Sequence, residues 1–362
     1  MKKILYDNQM FTFQRFGGVT RYFADLVYNL PAGEFVAEIP MKYCENHYVT
    51  QTYGQEYDSF SFPANYRLRR RLYSLFNDCI AKKAIKESDY DIFHPTYFSP
   101  YFLGTLKRRQ KPFVLTIHDM TFERYPQSVL FYDRTIQHKR KLVAEAEHII
   151  AVSENTKRDI VELLGTDPAK ISVVHHGYKP VTEAVPQLFD RYVLYVGERK
   201  GYKNFAPWLE AIHPILHSDP TLKVICTGAP FNNAELELFK KWNIADRLHH
   251  ITANDAQMAS LYHHALCFVF PSHYEGFGIP ILEAFHNACP VCLSNASCFP
   301  EVAGDAALYF NPGDTQSMQD SLKELISSNT LREELRQKGF LRSKEYTLER
   351  MVENTCNVYR KI

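Results

Sequence analysis

The sequence predicts an α/β protein made of two doubly wound parallel-sheet domains in tandem. Short apolar runs alternate with helix-period segments along all 362 residues, the pattern of parallel sheets covered by helices. The alternation breaks across residues 179–191 (KPVTEAVPQLFDR), where two prolines and the loss of any period mark a linker, and then restarts. The length also suits two domains of ordinary size.

In the first half, KKILYD reads as a strand and GGVTRYFADLVYNL as the helix after it. YDIFHPT, KPFVLTIHD, EHIIAVS and ISVVHHG read as further strands. In the second half the strands are RYVLYVG, LKVICTG, HHITA, CFVFPS and PVCLSN. SLKELISSN, LREELRQKGFLRSKEYT and LERMVENTCNVYRKI carry apolar residues at helical spacing. Domains are expected over 1–182 and 183–345, with a closing helix over 346–362. Ligands of such sheets bind beyond the carboxyl ends of the strands. Gly17-Gly18, His118, Gly197 and Glu275 each follow or end a predicted strand. Their common placement predicts a single site in a cleft between two facing domains.

Composition excludes several classes. Hydrophobic residues make up 45% and charged residues 23%, which fits folded domains and not a disordered chain. The net charge of +1 gives no nucleic-acid signature. Residues 1–180 hold 25 Lys and Arg against 20 Asp and Glu, and the remainder 17 against 21. The basic excess falls in clusters: Arg67, Arg69, Arg70 and Arg71; Lys107, Arg108, Arg109 and Lys111; Lys139, Arg140 and Lys141. Each reads either as a solvated face or as an attraction to an anionic membrane or a lipid-linked substrate. Tyr66, Leu72, Tyr73, Leu75 and Phe76 beside the first cluster favour a surface-lying helix. No span approaches the ~20 apolar residues of a membrane helix. The start, MKKILYDNQMF, has too short an apolar run for a secretory signal, so a cytoplasmic protein is expected.

Eight cysteines in this length do not suggest a disulfide framework. His286, Cys289, Cys292 and Cys298 could bind zinc, but CPVCL reads better as a buried strand entry with small apolar thiols. The acidic triplet Asp89-Tyr90-Asp91 precedes a strand and should lie at its entering end, away from the ligand. No metal and no cofactor is expected. Adjacent His175 and His176 read as structural.

The densest motif is EGFGIPILEAF, Glu275 to Phe285. Pro280 suits a helix start, which places Glu275 in the preceding loop and Glu283 in the first turn. Gly276 and Gly278 leave N–H groups open at the positive helix end, a ready phosphate cradle. Two carboxylates beside a phosphate cradle suit a ligand carrying phosphates and hydroxyls, as a nucleotide sugar does. Each feature also has an ordinary structural reading, as helix cap or turn; their convergence on one loop favours the ligand.

The stretch PSHYEGFGIPILEAFHNACPVCLSNASCFPEVAGDAALYFNPGD resembles the signature of retaining glycosyltransferases of family four, with the GT-B fold. The opening, ILYDNQMFTFQRFGGVTRYFADL, resembles members from bacterial cell-surface polysaccharide pathways. The resemblance covers nearly the whole chain and implies two Rossmann-like domains, acceptor side first and donor side second, with the closing helix crossing back onto the first. It implies that Glu275 addresses the transferred sugar and that Glu283 binds the ribose. Phe277, Gly278 and Ile279 would offer N–H groups to sugar and diphosphate, and Lys203 would hold the diphosphate. Where many relatives carry Arg directly after the strand-ending Gly, this chain has Glu198, so Arg199 is taken as the second cation. His118 would contact the donor sugar. Gly17 and Gly18 would let backbone approach phosphate or acceptor, and Gly228, Thr252 and Ala253 would border the base.

The reaction implied is retaining transfer from a nucleotide sugar to a glycan or lipid-linked acceptor, without metal. The opening motif points to GDP-mannose, with UDP sugars as the alternative. Two rivals stand beside it: an epimerase or phosphorylase on the same fold, and a non-catalytic nucleotide-sugar-binding subunit. A dehydrogenase is disfavoured, since no G-x-G-x-x-G follows a strand.

Overall fold

The computed structural model describes residues 1–58, 66–126, 133–181 and 185–362. The expected domain boundary at 182/183 lies outside them. The chain divides into two compact units, Met1–Gly177 with Leu348–Ile362, and Tyr178–Thr347.

The first unit carries β1 (Lys2–Tyr6), β2 (Phe35–Glu38), β3 (Ile92–His94), β4 (Val114–Ile117), β5 (His148–Ala151) and β6 (Ile171–Val173). β2-β1-β3 and β4-β5-β6 are parallel ladders. A parallel bridge between Phe93 and Phe113 joins them, giving the order 2-1-3-4-5-6. The second unit carries β7 (Tyr192–Tyr195), β8 (Lys223–Cys226), β9 (Leu248–His250), β10 (Cys267–Phe270), β11 (Val291–Ser294) and β12 (Leu308–Phe310). Its sheet runs β12-β11-β10-β7-β8-β9, all parallel. Counted from β7, this is the order 3-2-1-4-5-6 of dinucleotide-binding folds. VLTI, YVLY, CFVF and VCLS are buried at every residue, as strands covered by helices on both faces must be. β2 and β12 escape the sequence reading: each is an edge strand of three or four residues with one buried side chain, too short to show a period.

The closing helix, Leu348–Lys361, places Leu348, Met351, Val352, Cys356 and Tyr359 in the core of the first unit, with Ile4, Phe35 and Ile150. The Tyr359 hydroxyl lies 2.8 Å from that of Tyr6 and 2.6 Å from His94 Nδ1. His94 Nε2 meets Thr116 Oγ1 at 2.9 Å, so one polar chain links the helix, β1, β3 and β4. Arg360 adds an ion pair to Glu34 at 2.6 Å.

Burial pushes His94 down to about 3. His118 is also pushed to about 3, by burial and then by the charges of His94 and Lys139. An unfolded histidine takes up its proton near pH 6.5, whereas these two stay neutral until far lower pH. Their contribution is therefore complete above about pH 6.5 and drains away as pH falls toward 3, by about 1.4 kcal/mol per pH unit for each. The urea midpoint is expected to fall between pH 7.5 and pH 5, and less steeply in His94→Gln. An equal slope in that variant removes His94 from the effect.

The acidic triplet lies at the entering strand ends. Lys3 Nζ pairs with Asp89 at 2.9 Å and the Lys3 amide donates to Asp91 at 2.8 Å, tying β1 to the start of β3. Cys289, Cys292 and Cys298 are buried free thiols whose pKa burial raises, and Cys292 packs in the second unit's core. Of the basic clusters, the third is not a solvated face at Lys139: that side chain is fully buried and paired with Glu123 at 2.9 Å. Lys107 pairs with Glu145 and Arg69 with Glu45.

Candidate active site

In the second unit the strand order reverses between β7 and β10. The loop after β7 and the loop after β10 therefore leave on opposite sides of a crevice, where ligands of such sheets sit. Lys203 ends a 3₁₀ turn, Gly201–Lys203, that follows β7. Glu275 follows β10. Lys203 Nζ meets Glu275 Oε1 at 2.6 Å, with side chains 17% and 15% exposed. His273 donates its amide to the Tyr202 carbonyl at 2.8 Å, so the two loops are joined through backbone as well.

The Glu275 backbone is clamped. Its amide donates to Ser297 Oγ at 3.1 Å, and its carbonyl accepts from Ser297 Oγ at 2.6 Å and from Cys298 Sγ at 3.3 Å. Ser297 holds a left-handed φ of 56°, which turns the loop after β11 back toward Glu275. Ser297 is not legible as a site residue in sequence, because the contact spans two strands.

Gly278, at a left-handed φ of 91°, caps the helix Ile279–His286. A Cβ there would meet Ile281 Cδ1 at 3.1 Å and Phe299 Cε1 at 3.2 Å. The helix starts one residue earlier than expected, so Pro280 is its second residue and Glu283 its fifth, just beyond the first turn. The positive φ at Gly278 is what lets the chain enter the helix there. The Gly278 and Ile279 amides precede any intrahelical acceptor. Phe277 is buried, its ring edge-on to Tyr346 at 5.7 Å. Tyr262 donates its hydroxyl to Glu283 Oε2 at 2.9 Å. Burial first, and the Glu283 charge second, raise the Tyr262 pKa well above its ordinary value, so the hydroxyl remains a donor. Tyr262 lies 21 residues from Glu283, and no local pattern announces it.

The Arg199 guanidinium pairs with Glu235 at 2.8 Å and donates to the carbonyls of Ala229 at 2.6 Å and Pro230 at 2.9 Å. It lies over Phe231 at 4.8 Å and is 5% exposed. These bonds tie it to the turn after β8. That turn holds Gly228, at a left-handed φ of 96°. A Cβ on Gly228 would lie 2.5 Å from the Gly197 carbonyl oxygen, so the ends of β7 and β8 touch through bare backbone. His250 Nε2 meets the Gly228 carbonyl at 2.9 Å. Thr252 and Ala253 lie beyond β9, which ends at His250, in the loop before the helix Asp255–His264.

The remaining expected residues belong to the first unit. Gly17 caps the helix Gly18–Tyr28, and a Cβ there would run into the Gln14 side-chain amide. His118 follows β4, stacks on His176 at 5.5 Å and meets the Tyr22 ring edge at 4.9 Å. Both of its ring nitrogens are buried without a hydrogen-bond partner among the described residues, a strong reason to expect a polar ligand there.

A doubly wound parallel sheet with a Lys-Glu pair at its switch point and a glycine-capped helix beside it is an architecture suited to a nucleotide. Comparison with known proteins agrees. The model described as glycosyl transferases group 1 matches residues 183–342, and that of glycosyltransferase family 4 matches residues 16–180. The chain belongs to the group 1, family 4 glycosyltransferases of the GT-B fold, and it is a glycosyltransferase. It is 24% identical to O-antigen chain mannosyltransferase B of Escherichia coli, covering 95% of this chain and 96% of that one. It is 28% identical to O-antigen chain mannosyltransferase RfbU of Salmonella typhimurium, over 58% of this chain and 60% of that one. Among solved structures it matches Anabaena HepE in complex with UDP-glucose, with a TM-score of 0.75, 14% identity and full coverage of both chains.

Proposed function

We propose that the protein transfers a hexose, with retention, from a nucleotide sugar to a glycan of a bacterial surface polysaccharide. The observation that carries the donor side is the Lys203–Glu275 pair at the β7/β10 switch point, beside the glycine-capped helix. In this reading the bond between sugar C1 and the phosphate oxygen breaks. Negative charge then collects on the diphosphate, where Lys203 and the Gly278 and Ile279 amides stabilise it. The acceptor oxygen bonds to C1 from the same face, and its proton passes to the departing phosphate oxygen. Glu275 holds the sugar, Glu283 takes the ribose hydroxyls oriented by Tyr262, and Arg199 positions the base-side turn through Gly228. His118, neutral by burial, offers a hydroxyl of the sugar either a donor or an acceptor.

Relatives named as mannosyltransferases support GDP-mannose; the solved HepE complex with UDP-glucose keeps UDP sugars in view. A thermal-shift screen of GDP, UDP and ADP, each with and without EDTA, tests this. A nucleotide at about 100 times its Kd adds roughly 2.7 kcal/mol of stability. GDP is expected to raise Tm, EDTA to leave the shift unchanged. A shift with UDP alone would replace the donor, and no shift with any would remove the reading.

We also place the enzyme at the cytoplasmic face of a membrane. Among the described residues no helix is long and apolar enough to cross one. Leu75 is 65% and Phe76 49% exposed on the helix Tyr66–Glu87, next to exposed Arg71, which suits a basic, apolar contact with anionic lipid. Cosedimentation with anionic vesicles, lost in Leu75→Glu/Phe76→Glu, is expected; equal binding to neutral vesicles would remove the charge from the account.

A further inference from the structure

The first unit has a switch point of its own. Its order, 2-1-3-4-5-6, reverses between β1 and β3, and a cavity of about 460 Å³ opens at the carboxyl ends of those two strands. Asn8 after β1 and Tyr97 after β3 line it, together with Phe13, Arg70, Arg71 and Lys82.

Several cations of the first unit are paired: Lys3 with Asp89, Arg69 with Glu45, Lys107 with Glu145, Arg124 with Asp159, Lys139 with Glu123. Arg70, Arg71 and Lys82 make no ion pair among the described residues. Arg70 reaches only the Phe13 carbonyl, at 3.5 Å, and lies 4.8 Å over the Phe13 ring. Lys82 lies 5.9 Å over the Tyr101 ring. The carboxylate present, Asp78, accepts from Asn8 Nδ2 at 3.1 Å and from Ser74 Oγ at 3.1 Å, and so is held by neutral donors. Asn8 is fully buried, and its Oδ1 has no partner among the described residues. Phe13 and Tyr97 stack at 6.0 Å with 14° between their planes, Phe13 being 48% exposed.

Three cations with no ion pair among the described residues line one concave site, where a phosphate can satisfy them with charge-assisted bonds, bidentate from the arginines. The exposed part of the Phe13 ring suits apolar contact with the C–H groups of a sugar, and Asn8 Oδ1, without a partner among the described residues, accepts a sugar hydroxyl. We propose that this cavity binds the phosphate-bearing end of the acceptor, a sugar carried on a phosphate or diphosphate. The proposal rests on the transferase reading and names the acceptor's class.

The experiment is calorimetric titration of the full-length protein with hexose 1-phosphate, with the nucleoside diphosphate present in excess so that the donor site is filled. Free hexose is the neutral control. Hexose 1-phosphate is expected to bind at least tenfold more tightly than hexose. Arg70→Gln/Arg71→Gln should lose that preference while keeping the wild-type nucleotide thermal shift. Lys82→Gln is an independent second variant should the first fail to fold. Equal binding of charged and neutral sugars, or an unchanged preference in both variants, overturns the proposal. A failed nucleotide shift would instead overturn the donor reading, which the variants leave untouched. In a second arm the same sugar is presented on a polyprenyl diphosphate in detergent micelles. Tighter binding there that is lost in the arginine variant assigns a lipid-borne phosphate; no gain over hexose 1-phosphate, with the same loss, assigns a soluble one. Binding of the micellar sugar that survives the variant counts against the site.

Discussion

Lys203→Ala is expected to lower kcat by about 100-fold or more, at saturating donor and acceptor, while the protein stays folded. A preorganised donor facing charge that develops only in the transition state is worth about 3–4 kcal/mol. Lys203 also meets Glu275 at 2.6 Å in the unliganded protein, so the substitution leaves a carboxylate, 15% exposed, without its cation. That loss has its own cost to stability. It should not move the loop, because Glu275 is fixed through its backbone by Ser297 and Cys298. The two effects separate in Lys203→Met/Glu275→Gln, which removes both charges: its melting temperature should recover toward wild type while kcat stays low. Turnover within a few-fold of wild type in Lys203→Ala would take Lys203 out of the chemistry. Arg199, held by Glu235 and two carbonyls, is expected to make up little of the loss.

Gly228→Ala is expected to be the most damaging single methyl in the second unit. A left-handed φ of 96° already disfavours alanine, by about 1–3 kcal/mol. The new Cβ would lie 2.5 Å from the Gly197 carbonyl oxygen, a backbone atom at the end of β7 that cannot rotate away. Relief would need β7 and β8 to part at their carboxyl ends, which would carry Lys203 away from Glu275. The substitution should therefore lower the urea midpoint by the equivalent of at least about 2 kcal/mol and abolish the nucleotide-induced thermal shift. Gly165→Ala is the control: its φ of 64° is also left-handed, but nothing lies within 4 Å of the added carbon. Gly228→Ala with wild-type nucleotide binding would show that the close approach of the two turns is unimportant to the site.

Period and punctuation along the chain were enough to read ten of the twelve strands among the described residues, because a strand covered on both faces is apolar at every position, as YVLY and CFVF are. The helix after Gly278 and the loop position of Glu275 were legible for a related reason, because glycine and proline mark special backbone. Lys203 was named only through the family resemblance. What one residue does to another across the fold was not legible. Whether Lys139 meets water or Glu123, and which partners Arg199 and His94 find, depend on pairs brought together by strand order. So do the clamp of Ser297 on Glu275, the orientation of Glu283 by Tyr262, and the gathering of Asn8, Arg70 and Tyr97 around one cavity. Local pattern reports what each segment buries; the partner of a buried charge lies tens or hundreds of residues away, and only the closed sheet brings it within hydrogen-bonding reach.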